Sequence, residues 1–290
     1  MTAAITRARS TRARGRSQAY AIPSSIGGYV VTLLIAIPLL WIAFLSLKRR
    51  ADILADPLSL SGLSLNNYIK VLGSLPLAQM YFNTIVIALV AVVVGAAVSY
   101  MLAFALTRMV FRRRRVRSAM TYYVLAGISI PVFILLFPVY RIDIALGIFG
   151  TYLALILPYT ALTIPFTTLV FMGYLNDFPA ELEEAAVIDG AGLWTVCVRV
   201  VLPLMRPVIA TVFVLNTVFI FNEYAFASVL INDPNLYTIS LAVSSLKGEY
   251  AIDYGGMMAA ATLVLLPQLI LYTIFQRQVI GGLTVGAVKG

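Results

Sequence analysis

The sequence predicts an all-α integral membrane protein with six transmembrane helices and both termini cytoplasmic. Two observations carry the fold class and a third carries the orientation. Of 290 residues, 61% are hydrophobic and only 11% are charged, against roughly 25% charged in ordinary soluble domains. The apolar residues, with a mean hydropathy of +0.95, gather into six stretches that each reach the ~20 helical residues needed to cross about 30 Å of hydrocarbon. Thirdly, the 21 basic residues are distributed unevenly between the loops, which is the signal that orients a membrane protein.

The six stretches run from Ile26 to Leu47, Thr84 to Leu106, Met120 to Tyr140, Thr151 to Tyr174, Pro207 to Ile231 and Met257 to Phe275. None alternates with a period of two and each is too long for a barrel strand, so the spanning element is the helix, which satisfies its own backbone hydrogen bonds. The expected organisation is a basic segment at residues 1–25, a transmembrane domain at 26–275 and a tail at 276–290. The basic tract before Ile26 is compatible with a secretory n-region. No small-residue cleavage site follows it, however, and the apolar core is long, so the reading is an uncleaved first span.

With an even number of spans both termini share a side. An inside N-terminus collects Arg7, Arg9, Arg12, Arg14, Arg16, Arg108, Arg112 to Arg115, Arg117, Arg199, Arg206, Arg277 and Lys289 in the cytoplasm. Only Lys48, Arg49, Arg50, Lys70, Arg141 and Lys247 are left outside, and the imbalance sets the orientation. The tracts Arg7 to Arg16 and Arg112 to Arg117 have the composition to neutralise nucleic-acid phosphates. Both flank spans, however, and orientation together with anionic lipid headgroups accounts for them without nucleic acid. Histidine is absent and Cys197 is the single cysteine. An internal disulfide, a Cys/His zinc site and a Ser-His or Cys-His dyad are therefore excluded.

One loop, residues 175–206, is longer than a turn requires. Asn176, Asp177 and Pro179 give a helix-start signal, and Glu181, Glu183 and Glu184 place acid in the first turn, where the helix dipole favours it. Gly190 and Gly192 end this helix and a second runs from Leu193 to Leu202, stopped by Pro203. Two readings fit: an amphipathic helix resting on headgroups, or a docking surface for a cytoplasmic partner, since three glutamates are repelled by anionic lipid.

Within this loop Glu184-Ala185-Ala186 is followed after three residues by Gly190, and after nine more by Val200, one residue, and Leu202-Pro203. This resembles the EAA loop of importer-type ABC permeases, with Val200 in place of Ile. The resemblance extends to Ser46-Leu47-Lys48, Asn66-Asn67-Tyr68, Asn83, Pro131, Leu157-Pro158-Tyr159 and the ending Gly282-Leu283-Thr284 through Lys289. Together these resemble the smaller, six-span permease of maltose-type carbohydrate uptake systems.

The resemblance implies a type I ABC importer permease fold and a membrane location in the cytoplasmic (inner) membrane. It implies a homologous second permease subunit, two ABC ATPase subunits and an extracytoplasmic solute-binding protein or lipoprotein as partners, with carbohydrate, as a di- or oligosaccharide, as substrate. No Gly-x4-Gly-Lys-Ser/Thr phosphate loop occurs in the sequence. By the resemblance the chain binds no cofactor of its own and is not itself an enzyme, and ATP and Mg sit on the partner ATPases. Glu184 pairs with basic ATPase residues, Ala185 and Ala186 permit close helix approach, Gly190 makes the turn, and Leu202-Pro203 closes the motif. Gly282, Leu283, Thr284 and Lys289 belong to a tail that reaches the ATPases.

The fifth stretch carries Asn216, Asn222 and Glu223 in apolar surroundings. Such residues normally face a protein or water-filled interior. They bond to neighbouring helices, or they line a solute path on which Phe219 or Tyr224 stacks against a sugar ring. A third possibility makes Glu223 the acid of a proton- or ion-coupled secondary transporter, though no inverted repeat accompanies it. Relatives often carry Trp-Asn-Asp where this chain has Phe221-Asn222-Glu223. Pro38, Pro131, Pro138, Pro158, Pro165 and Pro267 lie inside spans and are expected to kink them.

Overall fold

The computed structural model describes residues 28–177, 179–246 and 253–284, and these contain helices and no strand. In order the helices are α1 (Gly28–Leu45), α2 (Arg50–Ala55), α3 (Asn66–Ser74), α4 (Leu77–Arg108), α5 (Arg114–Ala126), α6 (Leu136–Leu146) and α7 (Tyr152–Asp177). They continue with α8 (Ala180–Ile188), α9 (Leu193–Thr195), a π-helical stretch over Val196–Val201, α10 (Leu202–Leu204), α11 (Arg206–Asn222), α12 (Ala225–Leu230) and α13 (Tyr254–Thr284). Two compact units result, one joining the chain up to Val71 with Gly248–Thr262, the other joining Leu72–Lys247 with Leu263–Gly290.

The first unit is organised by a polar knot at the end of α1. A helix leaves its last carbonyls unpaired, and here Asn67 Nδ2 donates to the carbonyls of Ser46 at 2.7 Å and Lys48 at 2.8 Å. The Ser46 and Tyr68 hydroxyls meet at 2.6 Å. Lys48 is fully buried, its Nζ donating to the Asp56 carbonyl at 2.8 Å and lying 5.2 Å from the Phe44 ring centre. A Cβ at Gly255 would fall 2.7 Å from Asn67 Nδ2 and 2.9 Å from the Lys48 carbonyl, so this position requires glycine. Just before α13, Asp253 pairs with Lys70, whose hydrogen bond holds the Asp253 carboxyl below the usual carboxylate range. The Ser46-Leu47-Lys48 and Asn66-Asn67-Tyr68 signatures are therefore one hydrogen-bonded structure.

In the second unit α4 and α7 pack at their small and hydroxylated residues. Gly95 faces Thr163, where a Cβ would sit 2.5 Å from Thr163 Oγ1, and Ser99 Oγ donates to the Ile164 carbonyl at 3.3 Å. Small residues let membrane helices approach closely. Asn83, buried on α4, uses its whole amide: Nδ2 donates to the carbonyls of Asn235 and Tyr237, both at 2.9 Å, and Oδ1 accepts from Gln79 Nε2 at 2.8 Å and from Tyr152 Oη at 2.7 Å. One side chain thus fixes α4 to the start of α7 and to the loop after α12.

Four helices are long and apolar enough to cross a membrane, rising to six if each of two bent pairs counts as one span. The third and fifth stretches, each predicted as one span at Met120 to Tyr140 and Pro207 to Ile231 with kinks at Pro131 and Pro138 in the third, are thus broken pairs of helices. The third is broken by 97° between Arg114–Ser129 and Val132–Leu146. Ile130 is extended there (φ −79°, ψ 118°), the conformation that a following proline imposes. In the fifth, α11 stops at Asn222 because Glu223 is extended (φ −73°, ψ 119°), and α12 begins separately. Its other end bends by 70° from Leu193–Leu204. In α13, Pro267 has no N–H for the carbonyl of Leu263, and Tyr81 Oη donates to that carbonyl at 2.9 Å instead.

The Gly95 contact is testable by a double substitution. Gly95→Ala should lower stability by about 1–3 kcal/mol through overpacking. Adding Thr163→Ala removes the clashing hydroxyl and should restore most of the loss, measured as thermal midpoints in detergent. Equal midpoints for parent and Gly95→Ala would show that this crossing is loose.

Candidate functional site

The loop after α7 forms a rigid projection. Asn176 and Asp177 complete α7 rather than starting a new helix, and Pro179 is the N-cap of α8. Glu181 and Glu183 occupy the first turn. Gly190 ends the helix with φ +85°. Its N–H donates to the Val187 carbonyl at 3.0 Å, and the Ala191 N–H donates to the Ala186 carbonyl at 2.9 Å. This is the paired closure of a Schellman motif, in which the positive-φ position favours glycine.

Behind α8 lies a buried cluster that includes Tyr100 and Phe104 of α4, Phe171 and Leu175 of α7, Val196, Cys197 and Val201 of the π-helical stretch, and Val208 and Val212 of α11. Ala186, Ala191 and Leu202 pack against it. Tyr100 Oη donates to the Cys197 carbonyl at 2.6 Å. The second helix of the loop, expected from Leu193 to Leu202, is thus anchored in the bundle and passes through a π-helical turn before Pro203.

Arg108, the last residue of α4, clamps α8 from the side. Its Nη2 lies 2.7 Å from Glu183 Oε1 and its Nε 2.8 Å away, while Nη2 also donates to the Leu175 carbonyl at 2.6 Å. Glu183 is therefore consumed within the chain, whereas Glu184 and Ala185 are exposed and Ala186 is half-buried against the cluster. The outward surface also carries apolar groups, with Val187 59%, Ile188 85% and Trp194 69% exposed. Pro203 is half-buried.

The polar residues of the fifth stretch divide into two sets. Asn216 and Glu223 are 5% and 8% exposed and both bond to α7. Asn216 Nδ2 donates to Thr167 Oγ1 at 2.9 Å, and Glu223 Oε2 accepts from Tyr159 Oη at 2.6 Å. The Glu223 carboxylate also accepts the Phe226 N–H at 3.0 Å, capping the first turn of α12. Phe219, Asn222 and Tyr224 are exposed. With Phe133 and Glu223 they line a cavity of about 460 Å³, Asn216 and Phe219 border another of about 300 Å³, and Tyr224 also borders one of about 350 Å³ with Ser228, Tyr237, Ser244 and Ser245.

Sequence reasoning missed Arg108, Tyr159, Thr167 and Tyr100, whose partners lie between 49 and 97 residues away. Arg108 was counted there only for topology. The backbone of Gly282, Leu283 and Thr284 continues α13, and Lys289 and the segment 1–25 lie outside the described residues.

Long apolar helices, two bent helix pairs and a short helix closed by glycine are the architecture of a polytopic membrane protein. The model of the binding-protein-dependent transport system inner membrane component family matches residues 95–284. This chain belongs to that family and is a permease subunit of an ABC importer. It is 32% identical over 87% of its length to the sulfoquinovosyl glycerol transport system permease protein of Agrobacterium fabrum, covering 88% of that protein. To the diacetylchitobiose uptake system permease protein of Streptomyces coelicolor it is 29% identical, over 89% of this chain and 85% of that one. Its fold matches a chain in the crystal structure of a bacterial ABC transporter involved in the import of alginate, with a TM-score of 0.72, 20% identity and coverage of 90% and 96% of the two chains. The type I importer permease fold follows. The secondary-transporter alternative gives way to this membership.

If Glu223 acts as the cap between α11 and α12, Glu223→Ala leaves the Tyr159 hydroxyl and the Phe226 N–H without an acceptor. That costs about 1–3 kcal/mol for each orphaned donor. Thermal midpoints should fall in the order parent, Glu223→Gln, Glu223→Ala, because glutamine keeps one acceptor oxygen. An unchanged midpoint for Glu223→Ala would refute the cap.

Proposed function

We propose that this chain is the translocating subunit of a carbohydrate importer of the inner membrane, powered by separate ATPase subunits that dock on α8. The observation that carries the docking role is the display of α8: closed by Gly190, clamped through Glu183 and backed by buried core, it presents Glu184, Ala185, Val187 and Ile188 outward. Glu184 meets basic side chains of the ATPase, and Ala185 lets the ATPase surface approach the helix closely. The tail that carries Gly282, Leu283, Thr284 and Lys289 reaches the same partners. Both termini are cytoplasmic, with segments 1–25 and 276–290 flanking the membrane domain. Two ATPase subunits hold ATP and Mg, a homologous second permease completes the path, and an extracytoplasmic solute-binding protein or lipoprotein delivers substrate. The chain itself binds no cofactor and no nucleic acid.

A carbohydrate, as a di- or oligosaccharide, is supported by the sugar-containing substrates named for the relatives above. It is also supported by the exposed face of Phe219, Asn222 and Tyr224, since aromatic faces and amides suit the faces and hydroxyls of a sugar ring. Asn216 and Glu223 hold that face in position through α7. Nucleotide binding on the ATPases favours the outward-facing arrangement and hydrolysis resets it, a population shift between two packings.

The test separates helix closure from bulk. A Cβ at Gly190 meets no atom within 4 Å, so the penalty of substitution is its positive φ, about 1–2 kcal/mol for most residues and less for asparagine. In the reconstituted complex Gly190→Val should lower uptake per ATP hydrolysed several-fold and Gly190→Asn should retain most of it, with equal membrane insertion. Full coupling in Gly190→Val would overturn the docking role.

A further inference from the structure

The pocket where α12 meets the loop that follows it has no part in the transport reading so far. α12 begins only after Glu223 has left the helical conformation. That break sets Tyr224 at the seam between two cavities, the one of about 460 Å³ beside Phe219 and Asn222 and the one of about 350 Å³. Both fall in the roughly 300–1,000 Å³ range of small-molecule sites. The second is lined by Ser228 of α12 and by Tyr237, Ser244 and Ser245 of the loop, with buried Ile231 and Leu241 as its apolar part. Its loop wall is fixed in advance: Asn83 holds the carbonyls of Asn235 and Tyr237, and the Ile239 N–H donates to Thr84 Oγ1 at 2.8 Å.

The hydrogen bonds of the lining specify a ligand chemistry. Ser228 Oγ donates to the Ala225 carbonyl, and Ser244 Oγ and Ser245 Oγ both donate to the Leu241 carbonyl, each at 2.9 Å. A serine that gives its one proton to the backbone has only lone pairs left to offer, so all three act as acceptors toward a ligand. The Tyr224 and Tyr237 hydroxyls have no hydrogen-bond partner among the described residues and are open to donate. No lysine or arginine lines either cavity among the described residues, and Glu223 borders the larger one. Three acceptors, two donors, an apolar part and no cation match a neutral sugar ring, with its O–H rim and C–H faces. An anionic sugar would find no counter-charge and would face the Glu223 carboxylate.

We propose, resting on the carbohydrate reading above, that this pocket is a second saccharide subsite, which takes a neutral sugar ring next to the one on the Phe219, Asn222 and Tyr224 face. Because Tyr224 borders both cavities, a saccharide that runs from one to the other spans at least two rings. This subunit thereby selects for chain length and against negative charge. An acyl chain or an apolar helix seated in the pocket would bury both tyrosine hydroxyls without partners, which is costly.

Two measurements separate the subsite from the carbohydrate reading. First, the reconstituted importer, supplied with its binding protein, is offered neutral and uronic-acid saccharides of one to four rings. Uptake of a neutral saccharide of two or more rings is expected. Uptake of none would overturn the carbohydrate reading and the subsite with it, whereas uptake confined to single rings or to uronic acids would overturn the subsite alone. Second, the best imported neutral saccharide, radiolabelled, is bound to the assembled transporter without the binding protein, held outward-facing by a non-hydrolysable ATP analogue. Ser228→Ala and Tyr237→Phe, each removing one oxygen, should weaken binding about 2–10-fold, the equivalent of one hydrogen bond. Ser228→Phe, which fills the pocket from an exposed position, should weaken it about ten-fold or more. Thermal midpoints should stay at the parent value in the two single-oxygen variants, which answer the question where Ser228→Phe fails to fold. Parent-strength binding in both of them, or a loss of binding matched by a fall in midpoint, would overturn the subsite.

Discussion

Inside hydrocarbon a helix that breaks exposes amides and carbonyls to a medium with no water to satisfy them, at a cost of several kcal/mol each. This chain breaks regular helix at Pro131 and Glu223 and loses a helix hydrogen bond at Pro267 within α13, and at the last two a side chain takes over a backbone group. Glu223 receives the Phe226 N–H at the start of α12, and Tyr81 donates to the Leu263 carbonyl that Pro267 leaves free. At the end of α1 Asn67 does the same for two carbonyls.

A short helix of nine residues is not stable alone, and a coupling element that frays transmits nothing. Here α8 is closed at one end by Gly190, held at its side by Arg108 and seated on the cluster around Phe171 and Cys197. Of its three glutamates one is used to hold it, leaving Glu184 and Glu181 facing outward. α8 is thereby tied to the ends of α4 and α7 through Arg108, which bonds both Glu183 and the Leu175 carbonyl.

Much of the fold was legible in the sequence because length and hydropathy are local properties. Four of the six apolar stretches each fall on one long helix and the other two on broken pairs, and Gly190 announced its turn because only glycine takes positive φ cheaply. Breaks were less legible. Pro131 was visible as a kink, but nothing in a hydropathy pattern distinguishes a kink from a 97° bend. The capping role of Glu223 was hidden because its partner Tyr159 lies 64 residues away. The Arg108 to Glu183 clamp spans 75 residues and was hidden for the same reason, although the acid in the first turn of α8 was noticed. The loop motif itself was readable, while the division of its two alanines into one outward and one inward required the packing.

That division provides the most direct measurement of the docking role. In the assembled transporter, a short bifunctional thiol cross-linker should join Ala185→Cys to an ATPase subunit carrying a cysteine in its docking cleft, since Ala185 is exposed, while Ala186→Cys, packed against the buried cluster, should yield little product. The native Cys197 is buried and does not compete. Cross-linking at Ala185→Cys that also responds to nucleotide is the predicted result. No product at Ala185→Cys, or equal product at both positions, would contradict α8 as the surface where this permease meets its motor.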